Sequence, residues 1–125
     1  MSPLEQQIEA LKVDQPSAQD TKLPDGACLI SIPNFCLPAG WNKATTTLLF
    51  VAPVGYPHSK PDCFWTDADL RTADGRVPQN TGSNAIPSYP GSFLWFSWHT
   101  SIWSPNTDSL LTYLHVIERR LEDAK

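Results

Sequence analysis

The run from Phe93 to Pro105, FLWFSWHTSIWSP, constrains the fold more than any other part of this chain. Three of the five tryptophans fall within these thirteen residues. Aromatic surface is driven out of water at about 25 cal/mol per Å2 of apolar area, so Trp95, Trp98 and Trp103 are expected to plug a core. The run ends in Trp103-Ser104-Pro105, and Asn106-Thr107-Asp108 then offers cap residues for a last helix reaching Glu122. Leu110, Leu114, Ile117 and Leu121 recur at helical spacing and define its buried face. Glu118, Arg119, Arg120, Glu122 and Asp123 are assigned to the solvated side.

At the other end, Ser2-Pro3-Leu4-Glu5 opens a helix expected to run to Val13. Ser2 suits the cap, Pro3 the first helical position, and Glu5 can close a capping box. Such a short helix is marginal alone and must dock on the body or on a partner. Asp14 to Asp25, with Pro16 and Pro24, reads as a linker. Strands are expected at Ala27 to Pro33, irregularly at Asn34 to Trp41, at the β-branched run Thr45 to Val51, and at Asp62 to Thr66. Short connections favour an antiparallel four-strand meander over a βαβ unit. Asp67 to Gly91 reads as a long irregular loop, of the kind that is functional or mobile. The fold class is therefore α+β, flanked by an N-terminal and a C-terminal helix. It is expected as a single domain over residues 1–125, with the helix at 1–13, the linker at 14–25 and the core at 26–125.

Several function classes fall away on composition. Nine Lys and Arg against thirteen Asp and Glu give a net charge of -4 without a basic stripe, so nucleic acid is not expected as a partner. No apolar run approaches the ~20 residues that span a bilayer, and Glu5 and Glu9 stand where a secretory h-region would lie, so no membrane is expected. Cys28, Cys36 and Cys63 are odd in number and contain no Cys-x-x-Cys pair, a composition suited to the reducing cytoplasm. Cys28 and Cys36 sit in apolar runs and are expected in the core. Cys63 has no cationic neighbour to lower its pKa and reads as a buried structural thiol. His58, His99 and His115 show no diagnostic ligand spacing with Cys63, so neither a metal nor another cofactor is expected. Trp41, after Gly40, is read as an exposed turn residue.

The order of short motifs resembles the ubiquitin-conjugating-enzyme superfamily, and within it a bacterial family that lacks the usual catalytic cysteine. Leu37, Pro38, Gly40, Trp41 and Asn42 match one motif; Tyr56, Pro57, Pro61, Asp62 and Phe64 match a second. Phe93 to Leu111, with Ser97, His99, Trp103 and Asp108, is similar to a third. The likeness spans about Leu23 to Leu121. Trp98 stands where the family carries Arg, no His-Pro-Asn element is present, and no cysteine lies near Trp95 to Ser97. The resemblance implies ubiquitin-like protein conjugation, with an activating enzyme and a ubiquitin-like protein as partners and an unknown target.

Conjugation is acyl transfer, and in the absence of a well-placed thiol a serine needs a base. Ser97 and His99 are two apart, so an extended backbone points both to one side. Either Asp62 or Asp108 can orient the imidazole. The candidate catalytic residues are therefore His99, Ser97 and Asp62, acting through a serine oxyester. The alternative is a non-catalytic adaptor that binds the modifier or the activating enzyme. An unrelated hydrolase is disfavoured, since no nucleophile elbow surrounds Ser97.

Overall fold

A computed structural model describes residues 2–125. Helix α1 spans Pro3–Asp14. Ser2 caps it as expected, its Oγ accepting the Glu5 N–H at 3.1 Å. Glu5 does not reach back to the Ser2 backbone; its carboxylate instead accepts the Ser2 hydroxyl. Ile8 and Leu11 are buried and Leu4 half-buried. The helix docks on the body: Gln7 Oε1 accepts the Tyr56 hydroxyl and the backbone N–H of Leu110, the latter at 3.2 Å.

Six antiparallel strands replace the expected four-strand meander. They are β1 Gln19–Lys22, β2 Cys28–Cys36, β3 Thr45–Ala52, β4 Phe64–Asp67, β5 Thr81–Gly82 and β6 Phe93–Phe96. Their order in the sheet is β1-β2-β3-β4-β6-β5. β1 occupies the segment read as linker. All four of its residues are exposed, so it carries no alternation to betray it, and its charged side chains suit a sheet edge. The two strands expected between Ala27 and Trp41 are one strand. Its register shifts between Ile32 and Phe35, where Asn34 takes φ 56°. That shift buries Phe35 and turns Cys36 outward, so Cys36 is exposed rather than in the core. β5 and β6 come from the segments read as loop and aromatic plug.

The sheet is buried on both faces. Along β2 to β6 the side chains alternate between two clusters, as a period of two requires. Ile30, Leu48, Phe50, Phe64 and Phe96 face the helices, joined by Ile8, Leu11 and the α2 residues. Leu29, Leu49 and Trp65 face the other way, where Ile86 from the long loop closes over them. That loop therefore contributes Ile86, with Tyr89 at the margin, to this second core and is not merely a connection. Trp95, Trp98 and Trp103 are only partly buried and lie at the margins of these clusters, so they do not form a central plug.

Helix α2 spans Leu110–Glu122, four residues later than expected at its start. Ser109 is the cap, and Thr112 completes a reciprocal capping box with it. Leu110, Leu114, Ile117 and Leu121 are fully buried, as their spacing requires. Arg120 is buried with them, at 3% exposure, against its assignment to the solvated face. Its guanidinium lies over the rings of Trp41, Phe96 and Trp98, at 6.0, 5.3 and 5.4 Å from their centroids. It donates to the carbonyls of Asp123, Gln79 and Lys125 at 2.9, 3.0 and 2.8 Å. Burial lowers its pKa and Asp123 opposes that shift. Trp41 is buried rather than exposed, its indole N–H donating to Leu121 O at 2.8 Å. No helix among the described residues is long and apolar enough to cross a membrane.

Candidate functional site

The Tyr-Pro turn and the Trp-Ser-Pro segment are bonded to each other across 46 residues of chain. The Trp103 indole N–H donates to Pro57 O at 2.8 Å, and the Trp103 and Tyr56 rings pack at 6.0 Å. Lys60 Nζ donates to Thr100 O at 2.6 Å. These contacts hold the chain entering β4 against the chain leaving β6.

Asp62 and Cys63 lie just before β4. Cys63 sits at φ 63° and donates its N–H to Trp98 O at 2.9 Å. The buried Tyr113 hydroxyl of α2 donates to Cys63 O at 2.7 Å. Ser97, just past β6, donates its N–H to Asn80 O at 2.8 Å. The backbone is thus fixed at Cys63, Ser97 and Trp98, beside the polar side chains.

Those side chains meet. His99 Nδ1 bonds to Asp62 Oδ1, and His99 Nε2 faces Ser97 Oγ at 3.5 Å. The structure therefore brings together Ser97, His99 and Asp62 from segments 37 residues apart. Trp98, between Ser97 and His99, packs against the Arg120 guanidinium. Asp108 does not reach the imidazole. Its carboxylate accepts the Ser104 N–H at 2.6 Å and closes the turn after Trp103. The His99 and Asp62 side chains are 57% and 55% exposed, at an open depression lined by Asn80, Ser97, Trp98 and His99. Asp62 also lines a second, mainly apolar groove with Leu23, Ala27, Val51, Trp65 and Pro87, where Asp25 and Lys60 add charge. His58 and His115 are exposed elsewhere, His115 lying 3.9 Å from Glu118 Oε1.

Cys63 is nearer this group than its place in the sequence suggested. One ligand atom each from Asp62, Cys63 and His99 lie within 4.8 Å of one another. Burial pushes the Cys63 thiol up, the Trp98 backbone bond pulls it down, and the Asp62 carboxylate pushes it up again. Burial also raises Cys28. All three cysteines are free, and Cys36 alone is exposed. Iodoacetamide at neutral pH is therefore expected to add once to the folded protein, at Cys36, and three times in denaturant. Mass spectrometry of the folded protein checks this, with Cys36→Ser expected to show no rapid addition. Rapid labelling of Cys63 would contradict its burial.

The family model that matches this chain places it in the E2-like class, which is associated at a coarse level with ubiquitin-like conjugation. The chain belongs to Prokaryotic E2 family E, whose family model matches residues 13–124. No curated protein and no solved structure matches it.

Proposed function

We propose that this protein accepts the C-terminal acyl group of a ubiquitin-like protein from an activating enzyme and passes it to a target, with Ser97 as the acyl carrier. The observation that carries this reading is the doubly bonded imidazole: Asp62 on Nδ1 and Ser97 Oγ opposite Nε2. Asp62 holds the Nδ1–H tautomer, which leaves the Nε2 lone pair directed at the serine hydroxyl. Ser97 Oγ attacks the activating-enzyme thioester, its proton passes to His99 Nε2, and the enzyme's thiolate leaves. An amine of the target then attacks the oxyester carbonyl; the ester C–O bond breaks, Ser97 Oγ recovers its proton from His99, and the amine's surplus proton passes to the imidazole this leaves neutral and on to solvent. At 3.5 Å the Ser97 Oγ–His99 Nε2 contact is long for a hydrogen bond, and proton transfer along it requires the two atoms to close to about 2.6–3.2 Å. The mainly apolar groove that Asp62 lines suits the extended tail of the modifier.

The test mixes the protein with its activating enzyme, ATP and the ubiquitin-like partner. An adduct is expected on a denaturing gel that survives reducing thiols, is cleaved by alkali or hydroxylamine, and is absent in Ser97→Ala. A thiol-labile adduct moves the acyl group to a cysteine. Stable binding with no adduct under any condition favours the adaptor reading.

A further inference from the structure

We propose that Asp62, Cys63 and His99 form a binding site for a borderline-soft divalent cation of the Zn2+ type. One oxygen, one sulfur and one nitrogen ligand atom lie within 4.8 Å of one another. In a tetrahedral zinc site with bonds of about 2.0–2.3 Å, neighbouring ligands stand about 3.3–3.8 Å apart. The widest pair therefore closes by about 1 Å, while the hydrogen-bonded His99–Asp62 pair opens to admit the ion between its atoms. The backbone at Cys63 is held at both ends of its peptide units, by Trp98 O and by the Tyr113 hydroxyl, so that movement need not disturb the fold. His99 also has the outer partner that a metal-bound imidazole uses, since its Nε2 faces Ser97 Oγ.

The donor set selects the ion. A thiolate beside an imidazole disfavours Mg2+ and Ca2+, which take oxygen ligands, and suits Zn2+ or Co2+. Asp62 and the Cys63 thiolate together neutralise a double positive charge. Binding exchanges the thiol proton for the metal: the S–H bond breaks, an S–Zn bond forms, and one H+ passes to solvent. Affinity therefore rises with pH. Three protein ligands leave the fourth position to water. His99 Nδ1 and the Asp62 carboxylate are also the groups that hold the proposed relay. Loading the cation thus removes the orienting carboxylate from His99 and silences transfer. This last consequence rests on the proposed function; the binding itself does not.

The test titrates the full chain with Zn2+ against a chromophoric chelator and records Co2+ absorption, without an activating enzyme. One cation per chain, a thiolate-to-cobalt charge-transfer band and proton release are expected. Cys63→Ala should abolish the band, and His99→Ala should weaken Zn2+ binding by at least about 100-fold, more than loss of an outer partner does. Ser97→Ala should weaken it about tenfold. Cys36→Ser and His115→Ala should bind as the parent does. Because His99 is exposed, its variant keeps the test valid even where Cys63→Ala fails to fold. No stoichiometric binding, or binding unchanged in His99→Ala, overturns the site. A failed transfer assay with intact Zn2+ binding counts against the acyl-carrier reading alone.

Discussion

Replacing His99 by alanine is expected to slow acyl transfer by about two to four orders of magnitude, the range of a lost general base, while the protein melts as before. The side chain is 57% exposed and bonds only to Asp62 and Ser97, so its removal leaves no cavity and no buried orphan. Exposed substitutions of this kind usually shift stability by no more than about 0.5 kcal/mol. Single-turnover discharge of the activating-enzyme thioester measures the first quantity, and thermal unfolding the second. Asp62→Asn should also impair transfer, because the amide no longer holds Nδ1 protonated. The equivalent change in a serine-protease triad costs about 10^4-fold. A folded His99→Ala variant with normal transfer removes the imidazole from the mechanism.

Arg120→Ala is expected to produce the largest loss of stability of any single change on α2, about 2–4 kcal/mol in denaturant unfolding. Three mechanisms add. The carbonyls of Asp123, Gln79 and Lys125 lose a charged donor, each such bond contributing about 1.5–3 kcal/mol net, a gain offset in part by the cost of burying the guanidinium. The stack against Trp41, Phe96 and Trp98 is lost. The removed side chain leaves a cavity beside Phe96. Lysine is not expected to rescue, since it has one point charge where a planar fork serves three acceptors. A loss below about 0.5 kcal/mol, the scale of an ordinary surface change, would show that Arg120 is solvated in solution.

Arg120 also shows where sequence reasoning fell short. Tyr113, Ile117 and position 120 continue the helical spacing of the buried face, so periodicity alone pointed inward. Its charge pointed outward and prevailed in the reading, because a single chain does not reveal that three aromatic rings and three carbonyls await it. The same limit hid β1, whose Gln19-Asp20-Thr21-Lys22 has no apolar residue and pairs only because β2 offers an open edge. It also hid the fate of Cys36, since a one-residue irregularity at Asn34 reverses which side of a strand faces inward. By contrast, Leu110 to Leu121 and Thr45 to Val51 were legible, because burial there follows a simple period. So was the side-by-side placement of Ser97 and His99, which needs only an extended backbone. Asp62 was named over Asp108 without a physical ground in the sequence, because the preference depends on a contact 37 residues distant. The nearness of Cys63 to His99 was missed for the same reason.

The exposure of the Asp62–His99 pair has a consequence for who controls the chemistry. Bulk water reaches the imidazole as easily as a lysine side chain would. On the proposed acyl-carrier reading, an ester formed at Ser97 is therefore open to hydrolysis, and no wall among the described residues distinguishes a solvent molecule from an acceptor amine. Whatever docks over Asn80 and Trp98 must exclude water as it delivers the amine. Partner docking then acts as the closing lid, and the fidelity of the reaction belongs to the assembled complex.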